Sequence, residues 1–245
     1  MLSCASLLQT ELSDDQRERV HTGERVVFLR HAEADPLFDD EDRPWPEVIV
    51  YQITDASPEE VAAVFADYPL HATMFVDNQG CGIVGATPVA QVDACTADVA
   101  YTFAVPPQAG TSPRAIHFTL RNHIEATKSS NGFVFSWTKV EIDAPAVKEL
   151  RGAVRIEQYD GGAVVALEAV IKFRPTAIIM EFWRTRFIHE VGAALGALIE
   201  HVDVERDKTP MVLLEQCKAL RRALGLRPPI DAWSPASPAR APTLR

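Results

Sequence analysis

Two hydrophobic periods alternate along the chain, and the places where one gives way to the other divide it. From Glu47 the pattern tightens, and "VIVYQIT" (48–54) reads as a strand. The segment "ASPEEVAAVFADY" follows, with Ser57 as helix N-cap, Pro58 at the first helical position and Glu60 completing a capping box. Val61, Val64, Phe65 and Tyr68 then fall at i, i+3, i+4 and i+7, a single apolar stripe. A long β region comes next, with strands expected near 82–92, 97–105, 114–126, 132–142, 150–159 and 163–173. Breaks fall at "PPQAGTSP", "SSNG" and "DGG", where Asn131-Gly132 and Asp160-Gly161 are hairpin dipeptides suited to positive φ. Consecutive hairpins imply an antiparallel sheet.

After Pro175 the period changes to that of a helix. Met180, Trp183, Phe187, Val191, Ala194, Leu198 and Val202 mark one face of a long helix expected over 177–202. "KTPMVLLEQCKALRRALGLRPP" adds a shorter one, with Thr209 capping, Pro210 at its start and Gly225 at its stop. The chain therefore reads as an acidic, irregular lead (1–45), a central domain (46–203), a helical extension (204–227) and a flexible Pro/Ala-rich tail (228–245).

Strand alternation assigns the inward residues. One face carries Val99, Tyr101, Phe103 and Val105, then Ile116, Phe118, Leu120, Asn122 and Ile124. Phe133, Phe135 and Trp137 continue it, as do Val165, Leu167, Ala169, Ile171 and Phe173. His117, Arg121, His123, Glu168 and Lys172 face outward, so one face is wet and the other strongly apolar. Only the long helix has the length to cover the apolar face. Asn122 on that face either satisfies a backbone group or meets a polar group of a ligand, because an unpaired buried amide costs about 1–3 kcal/mol. Trp183 and Phe187 serve as core or as ligand contacts, Tyr101 needs a partner for its hydroxyl, and His189 and Glu190 are expected on the solvated side of the helix.

This order resembles the START-like, SRPBCC superfamily. The resemblance rests on "VYQITDASPEEVAAVFADY", "FSWTKV", "GAVRIEQYDGGAVVALEAVIKF" and "IMEFWRTRFIHEVGAALGALIEHV", over about residues 46–203. It implies an α+β helix-grip fold, a curved antiparallel β-sheet wrapped around a long C-terminal α-helix that starts near Ile178. It also implies an apolar cavity holding a lipid, sterol or polyketide-like molecule. The expected ligand-binding residues are Tyr101, Phe103, Phe118, Asn122, Phe135, Trp137, Phe173, Trp183 and Phe187, with no catalytic residue, cofactor or metal assigned. The acidic lead and the helix after 203 depart from the minimal pattern and are candidates for capping the fold or for self-association.

Charge and composition narrow the partners. Of 245 residues, 47% are hydrophobic and the net charge is −10, all of it carried by the first 60 residues with 15 acids and 5 bases. Nothing resembles a phosphate-neutralising stripe, so no nucleic-acid partner is expected. "DDED" (39–42) reads as a solvated loop rather than a cation site. The longest late apolar stretch, "VGAALGALI" (191–199), is too short to cross a membrane. The N-terminus has no basic n-region, which points to the cytoplasm; a leader preceding it would make the protein secreted or periplasmic. Cys4, Cys81, Cys95 and Cys217 show no metal spacing and read as free thiols, although Cys81 and Cys95 could meet across a hairpin.

One motif argues for different chemistry. "VVFLRHAEAD" (26–35) ends an apolar run on Arg30-His31, the opening of a histidine phosphatase, and Asp42-Arg43-Pro44 deepens the likeness. Such an enzyme needs a second histidine to protonate the leaving group and a helix soon after the nucleophile. Here a strand follows, and His71, His117, His123, His189 and His201 lack the strand-then-His-Gly setting. The three readings rank as carrier of a hydrophobic molecule, polyketide cyclase or dehydratase using the same cavity, and phosphatase.

Overall fold

A computed structural model describes residues 6–9, 12–30, 47–76, 82–105, 114–127, 131–144, 147–173 and 180–227. Eight strands form one sheet: β1 (Val26–Arg30), β2 (Glu47–Thr54), β3 (Ile83–Asp93), β4 (Thr96–Val105), β5 (Arg114–Thr127), β6 (Gly132–Ile142), β7 (Val147–Tyr159) and β8 (Gly162–Phe173). Their spatial order is β1-β2-β8-β7-β6-β5-β4-β3, antiparallel at every pairing. Bulges in β3, β6 and β7 bend it. The helices are α1 (Ser6–Gln9), α2 (Asp14–His21), α3 (Pro58–Ala66), α4 (His71–Val76), α5 (Met180–Lys208) and α6 (Pro210–Ala223).

The local signals explain most boundaries. Ser57 and Glu60 form the reciprocal capping box that starts α3. Asp160 and Gly161 both adopt positive φ, 38° and 89°, and close the tight β7–β8 hairpin. The other dipeptide works differently. Asn131 alone is left-handed, at φ 47°, while Gly132 is already in β6. A Cβ on Gly132 would collide with the Ile156 carbonyl, so that glycine is needed for close approach rather than for turn geometry.

Three expectations need correction. Thr209 does not cap α6; its hydroxyl turns back to Glu205, bonding the carbonyl at 3.3 Å and the carboxylate. The long helix runs on to Lys208, six residues past the expected end, because Glu200, Glu205 and Arg206 keep its polar side paired or solvated while Val202 stays inward. Its expected start near Ile178 lies outside the described residues. The lead is not irregular throughout either. α2 is capped by Ser13 and Gln16, and β1 adds an outer strand to β2.

That lead also changes the picture of the outer face. β2 is apolar on both sides: Val48 and Val50 point in, while Ile49 and Tyr51 point out. Outward Ile49, Tyr51, Val164 and Ala166 are covered by Leu7, Leu8, Leu12 and Val20, so the sheet's outer face is dry at this end. The main core lies on the inner face, where α3, α5 and α6 pack.

Candidate functional site

Between the inner face of the sheet and α5 lies a cavity of about 250 Å³. Along α5 its wall is Phe187, Glu190, Val191, Ala194, Leu195 and Leu198, one helical stripe spanning roughly 16 Å at 1.5 Å per residue. Opposite it stand inward residues of β4, β5, β6, β7 and β8, with Ile83 of β3 at the edge. The volume falls just below the usual 300–1,000 Å³ of small-molecule sites, and its length makes it a slot.

Small residues create the room. Across three strands Trp137, Gly152 and Ala169 are register neighbours on the inner face. A Cβ on Gly152 would collide with the Trp137 ring and the Glu168 carbonyl. The indole therefore lies over the glycine, and Ala169 beside it leaves space where a larger side chain would fill the slot.

Of the nine candidate binding residues, the structure brings Tyr101, Phe103, Phe118, Asn122, Trp137 and Phe187 to the cavity wall. Phe135 is not among the wall residues. It is buried against Phe65 in an edge-to-face pair with centroids 4.9 Å apart, because α3 covers that end of β6. The side chains of Phe173 and Trp183 lie outside the described residues, as does Cys81. Cys95 and Cys217 are free thiols.

Polar groups touch the slot at three points. Asn122, 3% exposed, donates from Nδ2 to the Leu120 carbonyl at 3.1 Å, which fixes its amide. Tyr101 stacks on Phe118 and bonds through its hydroxyl to His71 Nδ1 at 2.9 Å. Beside Phe103, Arg186 Nε donates to Glu190, and its Nη2 donates to the Ala104 carbonyl at 3.3 Å. The guanidinium lies 5.5 Å from the Phe103 ring centre. Glu190 was expected in solvent, but its carboxyl faces the slot. Burial raises its pKa to about 7, an effect the Arg186 charge only partly offsets.

His71 was not anticipated. It sits on α4, a six-residue helix too short for its period to stand out, behind the wall residue Tyr101. Phe65, Tyr68, Phe75 and Tyr101 surround the imidazole. Burial drives its pKa down to about 4, so it is neutral at pH 7. Among the described residues no group of three or more His, Cys, Asp and Glu is placed to hold a metal ion.

On the opposite face, Arg30 of the phosphatase-like motif pairs with Glu47 at 2.6 Å. Glu168 accepts from Arg155 nearby, and burial next to Glu47 pushes its carboxyl up to about 7. The sheet between them and the slot is antiparallel, unlike the parallel sheet that delivers a phosphatase histidine. His31 lies outside the described residues.

No protein-family model matches the sequence, and neither does any curated protein. Solved structures do. A STAR-related lipid transfer protein from Xanthomonas axonopodis aligns at TM-score 0.55 and 14% identity, over 73% of this chain and 93% of that one. The chain has the START-like helix-grip fold. Human STARD10 aligns at TM-score 0.51 and 11% identity, over 84% of this chain and 89% of that one. Zhui aromatase/cyclase from Streptomyces sp. R1128 aligns at 0.50 and 16%, over 67% and 96%. At these identities the likeness is one of fold. In this helix-grip fold, α5 is the gripped helix and the slot lies between it and the sheet. Among the described residues no helix is long and apolar enough to cross a membrane.

Proposed function

We propose that the protein binds and carries a hydrophobic small molecule, lipid, sterol or polyketide-like, in the slot between sheet and α5. The observation that supports this most is the wall itself. It is a continuous apolar lining from six strands and three helices, interrupted at only a few points by polar groups, the composition of a small-molecule site. The slot's length favours an elongated ligand. Its test is titration with a fluorescent fatty acid or polyaromatic probe. Saturable binding with quenching of Trp137 fluorescence supports the reading, and absence of binding by every apolar probe refutes it.

One observation favours a second reading, a cyclase or dehydratase. Such an enzyme needs an acid or base in the cavity, and Glu190 titrates near neutrality there. If the parent dehydrates a linear polyketide mimic and Glu190→Gln does not, while binding it equally well, the slot is an active site. Equal binding without turnover by either protein favours the carrier.

A further inference from the structure

Volume and length, taken separately, agree on how much the slot can hold. An apolar cavity of roughly 150 Å³ takes up one benzene, about 25 Å³ for each of its carbons. At that rate 250 Å³ accommodates about ten non-hydrogen atoms. The wall stripe on α5 runs from Phe187 to Leu198, roughly 16 Å. An extended chain advances about 1.2 Å per bond, so about ten to twelve carbons reach roughly 11–13 Å. A compact bicyclic molecule of the same volume would leave much of that stripe uncovered.

The walls leave little room for more. At one end α3 stops the slot, because Phe65 lines it and packs edge-to-face on Phe135, with centroids 4.9 Å apart. Along the sheet Trp137 lies so close over Gly152 that a Cβ there would collide with the ring. On the helix side Leu195 and Leu198 are buried, and Arg206 ties α5 to Glu60 of α3 at 3.5 Å. Close-packed walls resist even an added methylene. A sterol, a two-chain lipid or a tetracyclic polyketide has far more atoms than the slot accommodates.

We infer that the slot selects one straight chain of medium length, an acyl or alkyl group of about ten to twelve carbons, over a sterol, a two-chain lipid or a polycyclic molecule. The inference rests on the slot being a ligand site and narrows what that site takes, so its test must separate the two claims.

Calorimetry with straight 1-alkanols, from 1-hexanol to 1-hexadecanol, and with cholesterol does so. The alkanols are uncharged, so Glu190 and Arg186 do not bias the series. Each carbon taken into the slot should tighten binding about fourfold. The rise is expected to reach 1-decanol or 1-dodecanol and then stop, because further carbons find no wall. Cholesterol is expected not to bind. Leu198→Ala vacates the space of about three carbons and should move the break to longer chains by that much. Ala169→Val adds about two carbons to the wall and should move the break to shorter chains. A break caused by alkanol solubility would not move in either variant.

Affinity that climbs unbroken to 1-hexadecanol, or a break at 1-octanol or before, overturns the inference and leaves the ligand site standing. So does binding of cholesterol, binding of a polyaromatic probe without any alkanol, or a break unmoved in a variant that folds. If the parent binds no alkanol, no cholesterol and no polyaromatic probe, the ligand site itself fails, and the inference with it. Should Leu198→Ala not fold, Ala169→Val decides alone.

Discussion

Placing a tryptophan at Ala169 should block the slot and stabilise the protein at once. Ala169 lines the cavity on β8, next to Gly152 and the Trp137 ring. An empty apolar void costs roughly 24 cal/mol per Å³, so 250 Å³ corresponds to about 6 kcal/mol by the same coefficient. An indole filling about half of it recovers on the order of 3 kcal/mol, and fixing its rotamer returns about 1 kcal/mol of that. A net gain near 2 kcal/mol raises the melting temperature by about 4–8 °C in a domain of this size. Thermal denaturation with and without a fluorescent fatty acid is the assay. Ala169→Trp should melt higher than the parent, bind no probe, and show no further shift when probe is added. If the larger side chain instead unfolds the protein and the parent binds no probe, the interior is solid core. The module would then have to act through its surface.

Other consequences follow from buried titratable groups and close contacts. His71 holds its folded pKa near 4 against 6.5 unfolded, so the unfolded chain takes up the proton first. Its contribution is complete above pH 6.5 and is lost as pH falls toward 4, by roughly 3 kcal/mol; urea titrations should show that slope in the parent and not in His71→Leu. Glu190 has the opposite sign: its carboxyl stays protonated in the fold up to about pH 7, so stability falls as pH rises from about 4.5 to 7. Glu190→Gln should remove that fall, gaining roughly 3 kcal/mol at pH 8, and an unchanged slope would contradict the assigned burial. Gly152→Ala forces a methyl group into the Trp137 ring and the Glu168 carbonyl, and should cost about 1–3 kcal/mol in denaturant melts. His31→Ala should leave probe binding unchanged, and phosphomonoester hydrolysis abolished by it would revive the phosphatase.

The legible parts of the sequence were those where one local rule acts alone. Ser57 to Glu60 announced α3, Asp160-Gly161 announced its hairpin, and period-two alternation put Tyr101, Phe118, Asn122 and Trp137 on one face. Where two demands compete, the residues spoke less clearly. The run "VIVY" is apolar at every position because helices cover both faces of β2, where strict alternation would mark a strand covered on one. Phe135 shares the right face, yet alternation cannot tell a cavity wall from the core under α3. Glu190 looks like half of an ordinary i, i+4 surface pair with Arg186 until Phe103 of β4 packs beside the guanidinium, and His71 among its near neighbours Phe65, Tyr68 and Phe75 gains its hydroxyl partner only from Tyr101 on β4. Those β4 contacts belong to the tertiary structure and leave no period to read.

The central claim, that the slot is a ligand site, is tested most directly by native mass spectrometry of the protein purified from its own source without detergent. The account predicts a species heavier than the polypeptide by one apolar molecule, which is released by organic extraction and is absent from Ala169→Trp prepared in the same way. Recovery of the bare chain alone, in a preparation that also fails to take up any added fatty acid, alcohol or polyaromatic probe, would contradict it.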